Sequence, residues 1–70
     1  MIYLPPREHG PPHVHVWSGD AEVVIELASG SRPQRIRDAS RMRTADVVRA
    51  FRIVEEHTEY LLTRWRTYHG

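Results

Sequence analysis

His13 and His15 are the residues of this chain whose type and spacing best suit chemistry. In an extended strand the side chains alternate between faces, so two imidazoles two positions apart project the same way and can share a transition metal. His9, on the preceding loop, can fold back as a third ligand, giving the three-histidine set of a catalytic zinc site with an open position. Without a metal, either imidazole can serve as general base on a 2′-hydroxyl once cationic groups hold the phosphate. His13 and His15 are therefore the candidate catalytic pair of a small hydrolase or ribonuclease. His9, His13 and His15 are the candidate ligands of a divalent transition metal such as zinc. The competing reading makes both rings fasteners, stacked on Trp17 or on helix side chains and hydrogen-bonded to backbone, because no cysteine or paired carboxylate stands at diagnostic ligand spacing.

The phosphate clamp has its own candidates. Arg32, Arg35, Arg37, Arg41 and Arg43 lie within twelve residues that hold only one acid, Asp38. Such a segment can track RNA or DNA although the net charge of the chain is only +1, since phosphate contacts act within a Debye length of about 10 Å. The alternative is a solvated segment whose charges pair with Glu22, Glu26 and acids of the following helix. A third cluster, Ile53, His57, Tyr60 and Arg64, lies off the main apolar arc of that helix. An aromatic and aliphatic strip with a polar rim suits docking of a protein partner.

These groups need elements to hold them. Residues 1–4 read as a short strand, and Pro5 to Pro12 as a loop, since prolines there remove ladder donors and helical freedom. His13-Val14-His15-Val16-Trp17 alternates with period two, giving a strand over about 13–18. Ser18-Gly19-Asp20 is a turn, and the β-branched run Ala21 to Leu27 predicts a partner strand over about 21–28. A fourth strand over about 34–37 has the proline and alternate arginines of a sheet edge, with one helical turn through Asp38-Ala39-Ser40 as the rival. From Thr44 the period changes: Val47, Phe51, Val54, Thr58, Leu61, Trp65 and Tyr68 recur every three or four residues, with Val48 and Leu62 beside them. One long amphipathic helix over about 44–68 is predicted, with Thr44 as N-cap, Asp46 in its first turn, and Arg64, Arg66 and His69 in its last turns. The expected fold is α+β: an antiparallel meander of three to four short strands, packed by that single helix.

Seventy residues suffice for one domain with one small core, which commonly needs a disulfide, a metal or a partner chain to stand. Cysteine is absent and all ten basic residues are arginine, so disulfides are excluded and a metal or a partner remains. The lack of cysteine fits a reducing compartment. No apolar run approaches the roughly 20 residues that span a bilayer, and Met1-Ile2-Tyr3-Leu4 breaks at once into Pro5-Pro6. A cytoplasmic protein without a membrane partner is expected.

The box Pro11-Pro12-His13-Val14-His15-Val16, the Gly-Asp turn, the Ile53-Val54-Glu55-Glu56-His57 stretch and the closing Leu61 to Gly70 run with Trp65 resemble the bacterial family called domain of unknown function 4160. The likeness spans about Tyr3 to Gly70. Members often carry a longer segment before the proline loop, which implies a curtailed first strand here or an edge finished by a partner. The family has no established activity. Its members tend to be encoded beside another small protein, often of domain of unknown function 2442, so the resemblance implies one half of a toxin–antitoxin-like pair. His-Val-His-Val is also similar to the motif of the histidine-triad hydrolases. That motif needs a third histidine where Trp17 stands, and the chain is too short for that fold. Two functional classes follow from the sequence: an interaction module with a protein partner, itself or a cognate small protein, and RNA or DNA as a further ligand; or the histidine-based hydrolase.

Overall fold

Gly19 takes a positive φ of 62°, the value a two-residue hairpin needs at its first central position and one that only glycine adopts freely. That turn sets the register of the sheet. In the computed structural model, which describes residues 2–3 and 10–69 and no side chains at positions 3, 68 and 69, the strands are β1 (Ile2–Tyr3), β2 (His13–Ser18), β3 (Ala21–Glu26) and β4 (Arg35–Ser40). They pair antiparallel in the order β1-β2-β3-β4. Ser18 faces Ala21 across the turn, and Val16 with Val23, Val14 with Ile25 and His13 with Glu26 follow from it. Past the last rung, Leu27 N–H donates to Pro12 O at 2.8 Å, which ties the proline segment to the sheet.

Side chains on cross-strand partners share a face, so one face of the sheet carries Val14, Val16, Val23 and Ile25. The helices cover that face. Val14, Val23, Ile25 and Leu27 pack with Ala50, Val54 and Leu61, and Val16, Met42, Val47, Phe51 and Leu62 close the margins. The α+β class and the antiparallel meander stand as expected. No helix among the described residues is long and apolar enough to cross a membrane.

The single long helix predicted over 44–68 is corrected: there are two, α1 (Thr44–Glu56) and α2 (Thr58–His69). At His57 the backbone leaves helical geometry, with φ −114° and ψ 20°, and its N–H reaches back only three residues to Val54 O, at 3.1 Å. The Thr58 hydroxyl donates to Val54 O at 3.2 Å and Glu55 O at 3.0 Å. A threonine side chain thus takes up carbonyls at the end of the first helix. The apolar period runs through the break because Val54 and Leu61 enter the same core, and periodicity alone does not register a local backbone departure.

Smaller departures have similar causes. Thr44 is the first helical residue and Arg43 the N-cap, with extended backbone and no side-chain capping bond. β4 runs to Ser40 rather than ending near 37, so Asp38-Ala39-Ser40 is strand and not a helical turn. β3 ends at Glu26, because Ala28 to Arg32 turns back through a bridge between Ser29 and Arg32. The predicted strand ends at Met1 and Leu4, the loop before Gly10 and the C-cap at Gly70 lie outside the described residues.

Candidate functional site

The face of the sheet turned away from the core cluster collects the polar groups. Alternation along β2 puts His13, His15 and Trp17 on it, and the hairpin register sets Glu26, Val24 and Glu22 opposite them in that order. His13 is fully buried. Its Nδ1 lies 2.9 Å from Pro11 O, and a carbonyl only accepts, so Nδ1 carries the proton. Its ring meets Trp65 of α2 at a centroid separation of 5.0 Å, tilted by 54°. His13 therefore joins the proline segment, the sheet and the second helix.

His15 is differently placed. Its Nδ1 donates to Glu22 Oε2 at 2.9 Å, and Trp17 Nε1 donates to the same oxygen. One carboxylate thus orients an imidazole and an indole. A histidine held through Nδ1 by a carboxylate, with the other ring nitrogen directed elsewhere, is the orientation found in metal ligands and in general bases. The rings of His13 and His15 are 5.6 Å apart between centroids, so the structure brings the candidate pair together. Among the described residues no group of three or more His, Cys, Asp or Glu could hold a metal ion, and His9, the third candidate ligand, lies outside them.

The arginines divide into two sets. Arg37 Nε donates to Glu26 Oε2 at 3.0 Å, while Arg35 Nε and Arg32 Nη2 approach Glu26 Oε1 at 3.3 and 3.8 Å. Glu26 is buried at the carboxylate end of β3. The hydrogen bond from Arg37 holds its pKa below the ordinary value, against the opposing effect of burial and with added help from the charges of Arg35, Arg37 and Arg32. Three guanidinium groups facing one carboxylate leave two positive charges in excess. Arg41 stands apart, paired with Asp20 of the hairpin turn at 3.0 Å, and Arg43 caps α1. The pairing of the segment with Glu26, weighed above as the alternative to phosphate tracking, is thus present, and it gathers three of the five arginines into one spot.

The docking strip is interrupted. Ile53 lies on α1, His57 at the break, and Tyr60 and Arg64 on α2; all four are exposed, Tyr60 to 64%. Sequence reasoning did not find Glu22 as the partner of His15 and Trp17. The signal was available, since a two-residue turn at Gly19-Asp20 makes opposed positions sum to a constant and sets Trp17 against Glu22. It also missed the irregularity in β4, where the register shifts between Val24 and Ile25 and Arg37 has no opposite number. Nothing in the residue types marks that.

No curated protein and no solved structure matches the chain. A family model described as Domain of unknown function (DUF4160) matches residues 1–66, nearly the whole length. The expected membership therefore holds, and the chain belongs to that family.

Proposed function

We propose that this chain is a cytoplasmic, non-catalytic interaction module, one half of a toxin–antitoxin-like pair, that contacts nucleic acid through its arginine segment. The observation that carries the reading is the convergence of Arg32, Arg35 and Arg37 on Glu26. A buried carboxylate beneath the forks orients them in advance, so that less side-chain freedom is lost when their remaining donors meet phosphate oxygens. Arg41 and Arg43 extend the cationic surface beyond β4. The cognate small protein meets the exposed strip of Ile53, His57, Tyr60 and Arg64, where aromatic and aliphatic surface is rimmed by charge.

The test is a salt series on binding of short RNA and DNA. Affinity falls steeply as salt rises, and replacing Arg32 and Arg35 by Gln lowers the slope by about one unit for each phosphate that the variant no longer neutralises. Arg32 and Arg35 are chosen because Arg37 makes the bond that holds Glu26. Binding that is absent at low salt, or a slope unmoved by the substitutions, refutes the reading.

One observation favours the hydrolase as a second reading. His15, oriented by Glu22, lies on the same sheet face as the arginine cluster, which is the pairing of base and phosphate clamp that cleavage of RNA requires.

A further inference from the structure

β4 is the outer strand of the sheet, and all six of its residues are exposed. Edge strands invite pairing, and charges or bulges usually discourage it. Here the bulge has a second consequence. Cross-strand partners share a face. Ile36 opposite Ile25 and Ala39 opposite Val23 therefore lie on the core face, while Arg35 opposite Glu26, Asp38 opposite Val24 and Ser40 opposite Glu22 lie on the polar face. Arg37, the extra residue, also lies on the polar face, because its guanidinium binds Glu26. From Arg35 to Ser40 the order is polar, core, polar, polar, core, polar. That order is the same read in either direction about the point between Arg37 and Asp38.

A two-fold axis normal to a sheet keeps each residue on its own face, so antiparallel pairing of two identical edges requires opposed residues to share a face. An axis between Arg37 and Asp38 meets that condition along the whole strand. Arg37 faces Asp38 of the second copy, Ile36 faces its Ala39, and Arg35 faces its Ser40. Axes centred on Arg37 or on Asp38 fail twice, since they oppose like charges and set polar against core positions. A regular strand falls out of phase at the bulge, whereas an edge with the same bulge does not.

A second feature lies on the same margin. Ile36, Val47, Val48 and Phe51 line an apolar groove between β4 and α1, with Arg52 and Glu55 at its rim; Ile36 and Val48 are each more than 40% exposed. Because Ile36 belongs to both β4 and the groove, pairing about this axis would place apolar surface of the two copies on the same side of the joined edge.

We infer that the β4 edge is a self-association surface, and that its occupant is a second copy of this chain paired antiparallel about an axis between Arg37 and Asp38. The inference rests on the reading of the chain as an interaction module. Its assay contains no nucleic acid, so its failure and the failure of the salt test above are separate outcomes.

Sedimentation velocity over a concentration series should show a monomer–dimer equilibrium. Asp38→Arg should weaken it by about tenfold or more, since two opposed pairs become repulsive, with an unchanged circular dichroism spectrum. Register is read independently in this cysteine-free chain. Ile36→Cys mixed with Ala39→Cys should crosslink on oxidation well above either variant alone, and this holds even where Asp38→Arg fails to fold. A chain that stays monomeric at every concentration, a dimer indifferent to Asp38→Arg, or crosslinking no stronger in the mixture overturns the inference.

Discussion

Replacing Glu26 by glutamine keeps its shape and removes its charge from beneath three arginines. Arg37 contributes most, because its 3.0 Å bond is charge-assisted and its side chain is only 35% exposed; such bonds are worth about 1.5–3 kcal/mol. Arg32 and Arg35 are exposed to 59% and 61%, and solvent reduces pairs of that kind to about 0.2–1 kcal/mol each. The desolvation of Glu26 opposes both. The net cost of Glu26→Gln near neutral pH is then about 1–3 kcal/mol, a large share of the roughly 4–10 kcal/mol that a domain of this size has in total. The pKa of Glu26 is lowered in the folded state from an ordinary value of 4.5. Its contribution is accordingly complete above the ordinary value and is lost as pH falls through the folded value. Urea denaturation of both proteins over a pH series gives the check. The gap should be constant at neutral pH, shrink below about pH 4.5 and close once the carboxylate is protonated. A gap that is absent near neutral pH, or that persists unchanged into strong acid, refutes the account of Glu26 as the charged centre of the cluster.

Trp65→Ala removes the indole that covers His13 and leaves a cavity between α2 and the sheet; a loss of about 3–5 kcal/mol is expected, and a cooperative variant with an unchanged melting temperature would show that α2 does not hold the histidine. Arg41, at φ 59°, occupies left-handed backbone that costs a non-glycine residue about 1 kcal/mol, while its exposed pair with Asp20 contributes at most a similar amount. Arg41→Gly should therefore leave the urea midpoint unchanged or raise it slightly, and a clear drop would give the Arg41–Asp20 pair more weight than its exposure allows.

Legibility in the sequence followed the range of the interactions. The period-two run through His13 and the β-branched run through Val23 placed β2 and β3, because a half-buried strand writes its alternation into the residues themselves. The helical period likewise placed Val54, Leu61 and Trp65 inward. The break at His57 was not legible. It is a backbone event stabilised by one threonine hydroxyl, and a threonine at that spacing also fits an unbroken apolar arc. The bulge at Arg37 was hidden for a related reason: the alternating arginines of a regular edge and those of a bulged one have the same composition. The family was legible as a likeness over nearly the whole chain, whereas the partner of His15 required the hairpin register to be carried through residue by residue.

His13 and His15 look equivalent in sequence and are not equivalent in the fold. His13 is wholly buried, donates its Nδ1 proton to the Pro11 carbonyl and carries Trp65 on its ring. An alanine there disturbs the proline segment, the sheet and α2 together. His15 is only partly buried and is oriented by a carboxylate on the neighbouring strand, so its substitution touches the polar face and leaves the core cluster intact. A loss of function in a double variant would consequently report the stability role of His13 as readily as any chemistry. Only His15 taken alone separates the interaction module from the hydrolase, because in the first its imidazole is one more hydrogen-bonded surface group and in the second it is the base.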